Sequence, residues 1–183
     1  PIPEPQPEPI IISGTPSTGT EEEQKYIWEF FLNDLQNEEA VAGLMGNLYA
    51  ESSYCSDNLQ NFFNNSLGLS DKEYTVQVDN GTYTNFVNDG AGYGIAQWTF
   101  YTRKKSLFDF AKNKQKSIGD FNTQLEFLLS ELKLNSTLYN KVKNATSVAE
   151  ASNIILFEYE RPSDQSEAMR QRRLVYSMTA YNK

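Results

Sequence analysis

From Glu21 to the C-terminus apolar residues recur mainly at helical spacing, which predicts a mainly α domain interrupted once by a glycine-rich segment. Ile27, Phe30, Phe31 and Leu35 share one face. Thr20 ahead of Glu21, Glu22 and Glu23 supplies a cap and an acidic first turn, which the helix dipole favours. Val41, Leu44, Met45, Leu48 and Tyr49 form the stripe of a second helix ending near Glu51. Ser70 and Glu73 stand at capping-box spacing and predict a helix over 70–80 that stops at Asn80-Gly81. A hairpin with an Asn-Gly turn competes there, because Thr75, Val76 and Val78 on one side and Thr82, Tyr83 and Thr84 on the other suit strands. Further on, Phe121, Leu125, Leu128 and Leu132 make another stripe, and Ser136 opens a short helix with Leu138 and Val142. Ser147 with Glu150 caps a helix running to Glu160 and stopping before Pro162, and Asp164 with Glu167 starts the last one.

Two stretches break the pattern. Between Phe86 and Trp98, Gly90, Gly92 and Gly94 stand among aromatic and apolar residues, which predicts a tight turn or short hairpin, a small Gly-rich β element. Ahead of the helices, Pro1 to Pro9 alternate proline with other residues and read as a stiff polyproline II spacer. Ile10–Ile12 form a brief apolar patch, and Ser13–Thr20 read as a flexible Gly/Ser/Thr linker. The expected organisation is a linker over 1–20 and one domain over 21–183, a module joined through its linker to other parts of a longer chain.

Composition narrows the chemistry. The 183 residues carry a net charge of −8, so the basic footprint that a nucleic-acid binder needs is missing. No apolar stretch is long enough to span a bilayer. Aromatics reach 13%, which serves either a core or a groove that stacks sugar rings. There is no histidine, which removes Ser-His-Asp and Cys-His catalysis and the usual zinc hydrolase sites, and no metal or other cofactor is expected. Cys55, alone, has no internal disulfide partner and reads as a small apolar filler. Proton transfer then falls mainly to Asp and Glu.

Glu51 stands at helical spacing from Leu44 and Leu48, near a helix C-terminus. Burial and the dipole both disfavour its ionised form, the shift a general acid needs. A solvated glutamate at a frayed helix end is the competing reading. The second constellation runs from Gly92 to Thr99: Gln97 offers an amide for N-acetyl or hydroxyl groups, and Tyr93 and Trp98 offer flat faces for pyranose rings. An ordinary turn with Trp98 plugging the core explains the same residues.

Taken together and in order, the run from Val41 to Ser52, the run from Gly90 to Thr99, and Phe157–Gln165 with its Glu160-Arg161-Pro162 centre resemble the phage tail lysozyme family, over roughly Tyr26 to the end. The resemblance implies a two-lobed lysozyme-like fold and cleavage of bacterial peptidoglycan, expected to be that of Gram-positive walls, at the β-1,4 bond between N-acetylmuramic acid and N-acetylglucosamine. It places the catalytic acid on Glu51 and the substrate cleft at Gly94 and Gln97. The spacer from Ser52 to Asp89 is then expected to rim the cleft, with Tyr54, Asn58, Gln60 and Asn61 as sugar contacts. The second carboxylate stays open among Asp57, Asp79, Asp89, Glu158 and Glu160. Asp89 stands just before the glycine-rich turn, within reach of the cleft; Glu160 matches the family motif, although an ion pair with Arg161 bracing the helix end explains it as well. A non-catalytic carbohydrate-binding module and a structural tail module are the competing functions.

Overall fold

The computed structural model describes residues 14–183, so the proline tract and the Ile10–Ile12 patch lie outside the described residues. The order is α1 (Glu21–Leu35), α2 (Glu38–Ser52), α3 (Asn61–Leu67), α4 (Asp71–Asp79), α5 (Tyr101–Asn113), α6 (Phe121–Leu134), α7 (Ser136–Lys143), α8 (Val148–Ile154), a π-helical segment (Ile155–Glu160) and α9 (Glu167–Tyr181). The mainly helical reading holds. Thr20 with Glu23 and Ser70 with Glu73 each form both halves of a capping box, so 71–79 is a helix and the competing hairpin does not form.

Four expectations change. The short α3 and the long α5 were not anticipated. α9 starts at Glu167 with Ser166 as its cap, while Asp164 instead accepts from the Ser166 N–H at 2.9 Å. The β element shrinks to isolated bridges: Tyr93 and Trp98 exchange backbone hydrogen bonds of 3.2 and 2.9 Å, and Leu59 bridges Tyr93. The stretch read as a flexible linker is docked from residue 14 onward. Ser17 is fully buried, its N–H donating to Ser56 Oγ at 2.8 Å, and Thr15 O accepts from Phe121 N–H at 3.1 Å.

α2 is the axis of the domain. Residues 40–48 are all buried, with α8 and α9 crossing them and α1 alongside. Gly43 and Gly46 permit the crossings. A Cβ on Gly43 would sit 2.5 Å from Ala151 Cβ, and one on Gly46 would sit 2.4 Å from the Ser177 backbone nitrogen. Each glycine weakens a helix interior by roughly 1 kcal/mol relative to alanine, which close packing offsets. Asn47 then ties three helices: its Nδ2 donates to Gly43 O at 2.8 Å and to Ser152 O at 3.1 Å, and its Oδ1 accepts from Arg173 at 2.9 Å.

The region from Leu59 to Trp98 folds over a second, aromatic part of the core. Tyr74, Phe86 and Tyr93 are buried with ring centroids 5.5–6.1 Å apart. Asp89 belongs here and not to a cleft. It forms a buried ion pair with Lys104 at 2.5 Å and accepts from the Tyr74 and Tyr83 hydroxyls at 2.5 and 3.0 Å. Lys104, 0% exposed, also donates to Ala91 O at 2.8 Å, so α5 pins the start of the glycine-rich loop.

Two outcomes follow for stability. Gly46→Ala forces α9 off α2 and is expected to lower the unfolding free energy by about 1–3 kcal/mol in a denaturant titration. Asp89→Ala strands the Lys104 ammonium inside the protein and is expected to cost about 3–5 kcal/mol by the same measurement.

Candidate active groove

A groove of about 870 Å³ is lined by Glu51, Gln60, Gln97, Phe100, Arg103 and Glu160, among others. Glu51 occupies the last turn of α2, and its side chain remains 17% exposed. The Arg173 guanidinium, reaching across from α9, pairs with Glu51 Oε1 and is itself only 3% exposed. A cation so placed is charge-assisted on one oxygen and fixes the carboxylate's orientation.

Glu131 of α6 organises another part of the lining. It accepts from Trp98 Nε1 at 2.7 Å, from the Tyr159 hydroxyl at 2.7 Å, and from Arg103 at 2.9 and 2.8 Å through both oxygens. Arg103 also lies 4.7 Å from the Tyr159 ring centroid. The loop, α5, α6 and the π segment are thereby joined at a single carboxylate.

The π segment delivers the second carboxyl. The Arg161 N–H donates to Leu156 O at 2.9 Å, five residues back, and Arg161 then turns into the left-handed region with φ 49°. This end geometry separates Glu160 from the cation expected to pair with it. Arg161 is exposed and its Nε donates to Glu158 O at 3.1 Å, so the anticipated Glu160–Arg161 brace is absent. Burial pushes the Glu160 carboxyl well above the usual carboxylate range, and the Glu51 charge pushes it further. The guanidiniums of Arg103 and Arg173 oppose this only in part.

Of the other carboxylates, Glu158 lines the groove but pairs with Lys141 at 2.9 Å. Asp57 and Asp79 lie outside the lining. Asp79 accepts from Ser117 Oγ and Ile118 N, and its carboxyl is raised by burial. Burial and the neighbouring Asp71 raise Asp57. The structure therefore brings Glu51 together with Glu158 and Glu160, and leaves Asp57, Asp79 and Asp89 elsewhere.

The residues nominated for sugar contact divide in the same way. Gln97 lines the groove, but its Nε2 donates to Asn58 O at 2.9 Å and Gly94 O at 3.1 Å, locking a backbone that has φ 48°. Gly94, φ 80°, lies over the buried Gln124 amide, whose oxygen would come within 2.7 Å of a Cβ. Tyr93 and Trp98 are fully buried and offer no face to a sugar. Tyr54 is buried against Tyr49, with ring centroids 5.4 Å apart, and Asn58 contributes its carbonyl to the loop. Gln60 does line the groove, its Oε1 accepting from Gly92 N–H at 3.1 Å. Cys55 is half-buried beside the docked N-terminal segment, and burial and nearby acids raise its thiol.

Sequence reasoning missed Arg173, Arg103, Glu131 and Phe100. Arg173 meets Asn47 across 126 residues of chain, and no local pattern announces that contact. Phe100 did carry a signal, an aromatic directly after the glycine-rich run. It lines the groove 64% exposed, its ring 5.2 Å from that of Tyr101.

No curated protein matches the chain in sequence. A family model does: phage tail lysozyme, over residues 22–183, which takes in every helix from α1 to α9 apart from the first residue of α1. With Glu51 in the groove and a helical scaffold around it, the chain is a lysozyme-like, cell-wall-degrading domain and belongs to the phage tail lysozyme family.

Proposed function

We propose that this domain cuts the glycan strand of peptidoglycan at the β-1,4 bond between N-acetylmuramic acid and N-acetylglucosamine, with Glu51 as general acid. The observation that carries this reading is the placement of Glu51: a carboxyl on the end of a buried helix, held by a buried arginine and open to a groove of about 870 Å³. In a chain without histidine, proton transfer falls mainly to such a group.

The step is simple in its accounting. Protonated Glu51 gives its proton to the glycosidic oxygen as the C1–O bond breaks, and the bonding pair stays on that oxygen. A nucleophile then adds to C1 and returns its proton to Glu51. Water as nucleophile leaves a reducing end, whereas the muramic acid 6-hydroxyl leaves a 1,6-anhydro end. Mass spectrometry of released muropeptides tells the two apart.

The substrate wall belongs to Gram-positive bacteria in this reading, and the domain works from a phage tail or as a released lysin. A net charge of −8 gives no electrostatic steering toward an anionic wall, so other modules of the parent chain supply targeting.

Two measurements test the assignment. Glu51→Gln is expected to reduce clearing of a wall suspension by about a hundredfold or more. Equal clearing by the variant and wild type overturns the reading. Phe100→Ala, removing an exposed ring that a pyranose can stack on, is expected to raise KM about fivefold with little change in kcat, a loss of about 1 kcal/mol.

A further inference from the structure

The arginine on Glu51 raises a difficulty. A guanidinium paired with a carboxylate favours the ionised form, yet an acid catalyst must carry a proton. Resting on the glycosidase reading above, we propose that Glu160 is a positioning residue for this proton: Glu51 and Glu160 share one proton, and Glu160 keeps it available to Glu51.

A charge count supports this. Besides Glu158, three carboxyls line the groove, Glu51 from α2, Glu131 from α6 and Glu160 from the π segment, and the charges of Glu51 and Glu131 both act on Glu160. Two guanidiniums face them, Arg103 from α5 and Arg173 from α9. Arg103 is committed to Glu131 through two hydrogen bonds, and Arg173 to Glu51 and Asn47. Lys141 of α7 is committed to Glu158, and Arg161 points away to the Glu158 carbonyl. Among the described residues no cation pairs with Glu160, and the one unpartnered donor of these guanidiniums, Arg173 Nε, is not bonded to it.

Its surroundings agree. Glu160 Oε1 is buried and has no hydrogen-bond partner among the described residues. A carboxylate in that condition carries a desolvation cost that a neutral carboxyl largely avoids. Burial and the Glu51 charge both move Glu160 toward the protonated form. Two carboxyls in such a setting titrate as a pair, and the pair holds its last proton to higher pH than either would alone. When the proton leaves for the glycosidic oxygen, both carboxyls are briefly anionic. Their repulsion then favours recovery of a proton from the incoming nucleophile.

The sign of the pH effect follows. Glutamine at 160 mimics the neutral carboxyl in shape but carries neither the proton nor the potential charge. Without a second carboxylate to hold it, the shared proton is lost at lower pH. Wall clearing by the intact domain is measured from about pH 4 to about pH 8 for wild type and Glu160→Gln. The alkaline limb of the variant is expected to move acidward by about one pH unit, with acid-side activity kept within about twofold and activity near neutrality falling about tenfold. A profile scaled down without a shift overturns the proposal, as does an unchanged one. Loss of activity at every pH also overturns it, because Glu160 would then be a base or nucleophile.

A second readout needs neither a variant nor activity. Infrared spectra of wild type with 13C-labelled glutamate are expected to show one protonated carboxyl band persisting at about pH 7, where ordinary glutamates have ionised. Absence of that band overturns the proposal. If Glu51→Gln clears walls like wild type, the glycosidase reading fails while the band still reports on the shared proton. If Glu51→Gln is inactive and Glu160→Gln is only scaled, the reading stands and the proposal fails.

Discussion

The buried guanidinium of Arg173 joins the fold to its chemistry. It bonds Asn47 in the middle of α2 and Glu51 at that helix's end, from a position on α9 that is almost wholly out of water. Burying an arginine is unfavourable unless its charge is met, so α9 docks where α2 offers Glu51 and Asn47, although the Nε donor stays without a partner among the described residues. The docking in turn requires the bare backbone of Gly46. One arrangement thus sets the crossing of the two helices and the direction of the Glu51 carboxyl. Mutations in the packing between α2 and α9 act on the site without touching the groove.

Glu131 does comparable work where the loop meets α5 and α6. Because Trp98, Arg103 and Tyr159 all donate to it, the glycine-rich loop, α5 and the π segment cannot shift independently. Lys104, one residue after Arg103, binds Asp89 and Ala91 at the other end of the loop. α5 therefore holds both ends of the segment that carries Gln97. Charges that look like ordinary surface residues in the sequence, Arg103-Lys104-Lys105, divide into a groove residue, a core residue and an exposed one.

That division shows why some of the structure was legible in the sequence and some was not. Helix starts were readable wherever a short-range rule governs them: the Thr20 and Ser70 capping boxes depend on residues three apart. Periodicity put Glu51 on the inner edge of α2 but left a solvated glutamate as a competing reading, and only the resemblance of the surrounding run to a known family singled it out. α5 was not, because its buried face includes a lysine whose partner lies 15 residues away, and the apolar pattern is broken there. Tyr93 and Trp98 were expected to face sugars because an aromatic beside glycine suits either a cleft or a core. Their hydroxyl and indole partners, Thr75 and Glu131, decide for the core and lie in other elements. Glu160 was expected beside Arg161, its neighbour in sequence, but a chain that turns left-handed sends adjacent side chains apart.

The π segment sets a limit on how this domain can vary. A π turn is an α-helix carrying one extra residue, and each residue of an α-helix advances the chain by about 100° around the axis. Removing a single residue between 155 and 160 would let the stretch relax to a better-bonded helix. It would also re-space the residues within the stretch, on whose present winding the Tyr159–Glu131 bond and the place of Glu160 in the groove lining depend. Length changes that surface loops absorb readily would therefore alter the lining here: in this segment the count of residues is itself part of how the groove is built.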